Sequence, residues 1–238
     1  GWVAEGAAKP VSDEKMALKT IKPQKLAVII PVSAEVVRAN PGNFMNLIRE
    51  DIGEAFAKAF DAAALHGTSS PFGAEQNLAA TTKAVKQPQG GLFGDVNSGL
   101  DLLAKARKKL NGFVFDDIVE PMMNTAMDTT GRPIFISAPT NGTAEPVRSG
   151  TLLGRNALFA EEVAPSTETG ATVGFGGDFT KGVWGTVGGI TFDVSTEAAV
   201  TIGGKLVSLF ENNLVAVRAE AEYGLLVADK DAFVKYTI

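Results

Sequence analysis

The residues best suited to chemistry in this sequence are one histidine and two pairs of neighbouring carboxylates. The histidine is His66, and the pairs are Asp116-Asp117 and Glu161-Glu162. A histidine can act as a general base, and grouped carboxylates can bind a metal or divide acid and base roles between them. One hypothesis is therefore a small hydrolase or metal-dependent enzyme that uses Asp116, Asp117 and Glu161.

The rest of the sequence argues against that chemistry. The chain has no cysteine, which excludes a thiolate nucleophile, and no Gly-x-Ser-x-Gly motif supplies a serine nucleophile. His66 stands at a predicted helix end, where a histidine is more often a surface cap than a catalyst. Residues adjacent in a strand point to opposite faces, so the paired carboxylates are interpreted as solvated loop charges. The sequence predicts no catalytic residue, no metal and no cofactor.

Two glycine-rich stretches are candidates for phosphate-binding loops. In SGTLLGRNA, only three residues separate Gly150 from Gly154, and Arg155 stands where a P-loop requires lysine. In VGFGGDF, Phe179 stands where the third glycine of a dinucleotide fingerprint would be. Both stretches are interpreted as turns between strands, and no nucleotide site is predicted.

Composition is typical of a soluble globular protein. The chain has 238 residues, of which 45% are hydrophobic and 21% charged, enough for one or two domains. The longest apolar run, LAVIIPV, is far shorter than the ~20 residues that a membrane-spanning helix needs. The net charge of −5 argues against a surface that grips nucleic acid. Because the chain begins with Gly1 instead of methionine, it is interpreted as a processed or partial chain.

The strongest helix pattern follows a predicted strand at residues 25–33. The pattern covers residues 41–67, and its apolar residues recur at spacings of three and four: Phe44, Leu47, Ile48, Ile52, Ala55, Phe56, Ala59 and Phe60. Gly67 supplies a C-terminal stop signal. At about 1.5 Å per residue this helix is long for a small domain, and we expect it to act as a spine.

Weaker patterns fill the rest of the chain. Ser98 and Asp101 form a weak capping box that predicts a helix start, and Pro121 is placed in the first turn of another helix. Near the end, apolar and polar residues alternate over residues 213–227, which indicates a long strand with one buried face. The long helix and this strand are expected to form one elongated layer, with the middle of the chain inserted as a second lobe.

Several segments, in order along nearly the whole chain, resemble the major capsid proteins of tailed bacteriophages with the Hong Kong 97-like fold. The resemblance begins with WVAEGAAKPVSD, the proline-bounded KPQKLAVIIPVSAEVV and the long amphipathic helix. It continues with DIVEPMMNTAMDTTGRPIF, GTLLGRNALF and GFGGDFTKGVWG, and ends with LFENNLVAVRAEAEYGLLVADKDAFVKYT. Each segment is weak alone, but the ordered set is specific.

The resemblance implies an α+β fold with a peripheral domain, built from a spine helix and long antiparallel strands, and an inserted axial α+β domain. Residues 1–21 would be the returning part of an extended E-loop that reaches over a neighbouring subunit. Residues 22–89 and 210–238 would form the discontinuous peripheral domain, and residues 90–209 the axial domain. The N-terminal arm and the outgoing strand of the hairpin are not in this sequence.

The resemblance also implies the function of a structural protein and not of an enzyme. The protein would assemble with itself into pentamers and hexamers of an icosahedral virion shell, built in the host cytoplasm around double-stranded DNA that it does not read by sequence. Its other expected partners are a scaffold or arm segment missing from this chain, a portal and decoration proteins, with no membrane. Alternatives besides the enzyme are an encapsulin-like nanocompartment shell, which shares this fold, and a monomeric surface-binding module.

The first residues of the chain have an expected role in this scheme. Trp2 is costly to expose to water, and the small and charged residues around it cannot bury it. If residues 1–21 lie on an adjacent subunit, Trp2 and Val3 become contact points with a polar rim. The predicted inter-subunit contact residues are Trp2, Val3, Glu5, Lys9 and Lys15.

Overall fold

The computed structural model describes residues 2–3, 5, 19–39, 41–86, 92–128, 130–138, 147–166 and 168–238. The α-helices within these ranges are α1 (Ala34–Ala39), α2 (Pro41–Asp61), α3 (Leu92–Lys105) and α4 (Glu120–Thr125). Short 3₁₀ turns cover Leu78–Ala80, Asp117–Val119, Phe179–Lys181 and Lys230–Ala232.

The described strands form two large sheets and one separate hairpin. The strands are β1 (Gln24–Ser33), β2 (Ala84–Lys86), β3 (Gly112–Asp116), β4 (Phe135–Ser137), β5 (Val147–Leu152), β6 (Arg155–Ala160), β7 (Thr172–Gly177), β8 (Gly182–Thr186), β9 (Thr191–Ser195), β10 (Ala199–Ile202), β11 (Lys205–Ser208), β12 (Leu214–Val227) and β13 (Phe233–Thr237). The β12 sheet contains β1, β12, β8 and β9, all antiparallel to β12. The β3 sheet has the order β2-β13-β7-β3-β6-β5-β4, with parallel pairs β2/β13 and β3/β6.

The predicted layer of long helix and long strand is confirmed. β1 pairs with β12 along its whole length, from Gln24 opposite Tyr223 to Ser33 opposite Leu214. The apolar stripe of α2 packs on one face of this pair through a small core: Ile48, Ile52, Phe56, Val217, Ala219 and Ala221. The other face carries charged side chains, because residues alternate between the faces of a strand. There, Arg218 binds Asp193 at 2.8 Å, and Lys25 binds Glu220 at 3.3 Å.

The predicted end of the spine at Gly67 is also confirmed. The last turn, Ala62–His66, widens into a π-helix, and Gly67 adopts a left-handed conformation with φ of 71°. The Gly67 N–H group donates to the carbonyls of Ala62 and Ala63, which satisfies groups that a helix end leaves free. Two features require glycine at position 67. One is the left-handed conformation, and the other is the close approach of Asn77, because a Cβ at position 67 would lie 2.6 Å from the Asn77 side chain.

The β3 sheet contains the larger core and corrects one interpretation. Gly174, Gly176 and Gly177 lie inside β7 and not in a turn. The aromatic rings of β3 leave no room for a side chain at Gly174 and Gly176. A Cβ on Gly174 would lie 2.1 Å from Phe115, and a Cβ on Gly176 would lie 3.0 Å from Phe113. The other stretch is a turn as predicted, with φ of 73° at Gly154 between β5 and β6.

The predicted helix start at Ser98 is wrong, because α3 begins at Leu92. Ser98 lies within the helix, and its hydroxyl donates to the Gly94 carbonyl at 2.8 Å. A serine that bonds back to the preceding turn does not act as an N-cap. The helix packs against the β3 sheet through Val96 and Leu103, both fully buried. The helix led by Pro121 is confirmed as α4.

The two ends and the middle of the chain contribute strands to both large sheets. β8 and β9, from the middle, pair with β12. β13, from the end, pairs with β7 in the β3 sheet. The division into residues 22–89 with 210–238 and residues 90–209 stays a prediction.

Candidate assembly surfaces

The first of the carboxylates chosen for possible chemistry, Asp116, is a buried structural residue. It was interpreted as a solvated loop charge, but only 5% of it is exposed. Its Oδ1 accepts from the Ile118 N–H at 3.0 Å, and its Oδ2 accepts from the Ala164 N–H at 2.8 Å. The correction has a physical reason: a buried carboxylate is stable when backbone N–H groups satisfy both oxygens. Asp116 thus ties the end of β3 to the turn after β6.

The neighbouring Asp117 has the opposite environment. Its Oδ1 is shielded from solvent and has no hydrogen-bond partner within the described part of the chain. Burial raises the pKa of Asp117, and the negative charges of Asp116, Glu120 and Glu161 raise that pKa further. Glu161 itself is exposed. Asp116, Asp117 and Glu161 are therefore near one another, but they differ in burial and in hydrogen bonding.

We expect isosteric substitutions at these two adjacent positions to differ in effect. Asp116→Asn should lower the free energy of unfolding by about 1–3 kcal/mol, since an amide places its NH₂ group against one backbone donor. Asp117→Asn should leave stability unchanged or raise it at pH 7, because it removes a poorly solvated charge. Urea denaturation of the two variants measures both effects, and equal losses would contradict the assignment.

The pH dependence of the Asp117 variant provides a second check. A folded-state pKa raised above the unfolded value means that the folded state binds more protons between these two values. Ionised Asp117 thus destabilises the fold at neutral pH, and the cost disappears as the pH falls through its folded pKa. The advantage of Asp117→Asn over the wild type should therefore shrink toward about pH 4.

His66 is also a structural residue, although it is not the surface cap that was predicted. It is half-buried, its Nε2 lies 2.7 Å from the Val163 carbonyl, and its ring centroid is 5.5 Å from that of Phe175. Since a carbonyl only accepts, Nε2 is the protonated nitrogen in this contact. Nearby, Lys58 of α2 binds Glu162 at 2.8 Å. These contacts hold the end of α2 against the turn after β6.

Nothing in this region forms a metal centre. Within the ranges that the structure describes, no three histidine or carboxylate side chains are grouped so that they could hold a metal ion. The metal-dependent hypothesis with Asp116, Asp117 and Glu161 therefore lacks geometric support. In the same described ranges, no helix is both long and apolar enough to cross a membrane.

Large exposed apolar side chains are the more informative surface feature. They occur on both large sheets, on the β10–β11 hairpin and in the segments that follow β8 and β11: Ile29, Ile136, Leu158, Val183, Trp184, Val187, Val194, Ile202, Leu206 and Phe210. The most exposed of these are Phe210 at 80% and Leu206 at 77%. Single exposed apolar residues are ordinary, but contiguous groups of them indicate contact surfaces. A second group lies around α4 and consists of Ile118, Met122 and Met127.

The predicted contact residues at the start of the chain are only partly described. Trp2 is fully exposed and Val3 is 41% exposed, so the described residues do not bury them. Glu5 is also exposed. Lys9 and Lys15 lie outside the described residues. Their role as contacts with another subunit stays a prediction.

Comparison with known proteins identifies the family of this chain. The model of the phage capsid family matches residues 1–238. The chain belongs to the phage capsid family. It is 43% identical to the "Probable major capsid protein gp17" of Mycobacterium phage L5, over 99% of this chain and 75% of the relative. It is 42% identical to the protein of the same description from Mycobacterium phage D29, with the same coverage.

Solved structures agree with this family at the level of fold. A superposition on a chain from Microbacterium phage Oxtober96 includes all of the capsid protein and 81% of the other chain. Its TM-score is 0.75, and the two sequences are 21% identical. It also matches a chain titled "Capsid of empty GTA particle computed with C5 symmetry", with a TM-score of 0.64 and 21% identity over 80% of that chain. The mixed helix and sheet architecture is thus that of phage capsid structures.

The family membership decides between the hypotheses for function. The protein is a structural capsid protein of tailed phages, as the sequence resemblance implied. The encapsulin-like alternative is not favoured, because the curated relatives are phage capsid proteins. The capsid protein's functional surfaces are therefore those that face other copies of itself.

Most of these exposed surfaces were missed by sequence reasoning. For Ile136 a signal was present in the apolar stretch IFIS, because alternation along a strand turns Ile136 away from the face of Phe135, which is the buried residue of β4. The apolar residues of the β10–β11 hairpin gave no such signal, since a two-stranded hairpin has no fixed buried face.

Proposed function

We propose that the capsid protein assembles into pentamers and hexamers that form an icosahedral shell around a double-stranded DNA phage genome. The family match over the whole chain carries this proposal. The exposed apolar side chains on both sheets support it, because they provide contact area that a subunit leaves uncovered. Many modest contacts per subunit together give a stable closed shell.

The finer architecture belongs to the same proposal. The fold is of the Hong Kong 97-like type, with a peripheral domain around α2 and β12 and an axial domain around the β3 sheet. The packing of α2 along the β1/β12 pair supports the spine of the peripheral domain. Residues 1–21 serve as the returning part of an E-loop, so that Trp2, Val3, Glu5, Lys9 and Lys15 contact a neighbouring subunit.

The proposed partners follow from the role of the shell. The protein contacts itself, a portal, decoration proteins and a scaffold or arm segment, and it assembles in the host cytoplasm. It has no catalytic role. A net charge of −5 suits a shell around packaged DNA, because a strongly basic lining would hold the incoming duplex. Tight, salt-sensitive binding of DNA to empty shells would contradict this last point.

Negative-stain microscopy and size-exclusion chromatography of the expressed protein test the proposal. We expect closed particles tens of nanometres wide, with ring-shaped capsomers of five and six subunits on their surface. A protein that stays monomeric at high concentration would overturn the proposed function.

A further inference from the structure

An apolar groove opens where the end of α2 meets the start of β1. Its main cavity has a volume of about 420 Å³ and is lined chiefly by apolar side chains, among them Leu26, Phe60, Ala63, Phe72 and Tyr223. A second hollow of about 330 Å³ shares Gln24, Pro71 and Phe72 with it and extends the groove past Leu225 and Leu226. The groove is thus long enough for more than one side chain.

Aromatic rings make the groove suited to an aromatic ligand. The ring of Phe60 lies at the centre, with centroids of Tyr223 at 5.1 Å, Trp184 at 5.7 Å and Phe72 at 6.1 Å. Trp184 is 63% exposed, so the cluster is open on one side. Offset and edge contacts between rings add to the burial of apolar area. A further aromatic ring would complete this cluster.

Residues 2 and 3 supply a matching apolar group that the described residues leave uncovered. Trp2 is fully exposed, and Val3 beside it is 41% exposed. Trp2 lies outside the groove of its own subunit, because a ring in that groove would be covered. Within the described ranges, an uncovered aromatic residue and an open aromatic groove therefore lie on different surfaces.

Charge adds a second match between these two surfaces. Lys22 lines the extension of the groove, and Lys25 lines the main cavity. Both lysines are exposed, although Lys25 also binds Glu220 at 3.3 Å. The segment around Trp2 carries the exposed carboxylate of Glu5. The Glu5 carboxylate near Trp2 thus complements the basic rim of the groove.

We propose that Trp2 and Val3 of one subunit dock in this groove of a second copy, with Glu5 directed to the lysine rim. The inference rests on the proposed function, because it names the receiving site of the predicted contact segment. Donor and acceptor are different surfaces, so the contact is head-to-tail and repeats from copy to copy. Phe60, Phe72 and Tyr223 are then inter-subunit residues.

Tryptophan fluorescence tests the docking directly. The chain has two tryptophans, so Trp184→Phe leaves Trp2 as the only reporter and keeps an aromatic ring beside Phe60. In assembled particles we expect Trp2 emission at a shorter wavelength, and less quenching by iodide, than in unassembled subunits. Trp2→Ala should lower the apparent association constant about thirtyfold, as the loss of a central aromatic contact does.

Variants of the groove show where Trp2 is buried. In the Trp184→Phe background, Phe72→Glu should keep Trp2 emission at long wavelength and weaken assembly. Thr68→Phe, which crowds the mouth of the groove without adding charge, should act in the same way if Phe72→Glu does not fold. The matched control is Phe93→Glu, which makes the same change at a 37% exposed residue of α3 and should leave Trp2 emission unchanged.

The possible outcomes separate this inference from the proposed function. Particles in which Trp2 stays fully quenchable would overturn the docking but not the assembly. Particles in which Trp2 is protected despite both groove variants would also overturn it, because Trp2 would then be buried elsewhere. A wild-type chain that forms no particles would overturn the proposed function, and the docking with it.

Discussion

Gly177→Val is expected to destabilise the subunit by about 3 kcal/mol, although valine is favoured in strands over glycine. A Cβ at Gly177 would lie 2.5 Å from the Ala232 carbonyl oxygen and 2.9 Å from the Phe233 Cα. Both atoms belong to the backbone of the segment that pairs with β7, so they cannot turn away as a side chain could. The steric cost therefore exceeds the gain in strand propensity. Urea denaturation of the purified subunit measures the change.

Gly185→Val is the matched control for this prediction. Gly185 also lies within a strand, β8, but a Cβ there meets no atom within 4 Å. The same substitution should be neutral or slightly stabilising at this position, because valine loses less backbone freedom on folding than glycine. Equal effects at Gly177 and Gly185 would show that strand propensity, and not the close approach of β13, determines the result.

Phe115→Ala is expected to lower the free energy of unfolding by about 3–5 kcal/mol. Phe115 is completely buried in the core of the β3 sheet. Its ring centroid lies 5.9 Å from Phe113, 6.0 Å from Phe159 and 5.3 Å from Tyr236. Removing the ring loses these contacts and leaves a cavity between β3, β6 and β13. These neighbours are held by sheet hydrogen bonds and cannot fill that space.

Phe210→Ala provides the comparison for Phe115→Ala. Phe210 is 80% exposed, so its removal leaves no cavity in the subunit. We expect a change in unfolding free energy within about 0.5 kcal/mol, which is usual for an exposed position. If Phe115→Ala were as mild as Phe210→Ala, the core of the β3 sheet would have to be loosely packed.

The elements that could be predicted from the sequence are those with long, regular apolar patterns. α2 and β12 each bury one face against the other, and a single face imposes a period of 3.6 or 2 on many residues. The signal in α3 was misleading, because Ser98 and Asp101 have the spacing of a capping box inside a helix that starts at Leu92. Short-range patterns of this kind have little power without tertiary contacts.

The features that could not be predicted depend on residues far apart in the chain. The glycines of β7 make room for rings on β3, and Asp116 is buried because the Ala164 N–H reaches it. No local pattern reports such contacts. The candidate site also has one part that the sequence shows and one that it does not. The sequence shows that Trp2 stands among small and charged residues that cannot bury it, but the groove around Phe72 forms only when α2, β1 and β12 meet.

The pairing of β1 with β12 has a consequence for biosynthesis. The two strands are adjacent in the sheet, yet the whole segment between Ser33 and Leu214 separates them in the sequence. A ribosome makes β1 first, and its partner emerges only after that segment has been made. Until then β1 has no partner strand, and closing so long a loop makes folding slow. The subunit therefore reaches its assembly-competent state after translation, and during that delay the exposed β1 is the segment that chaperones would have to protect.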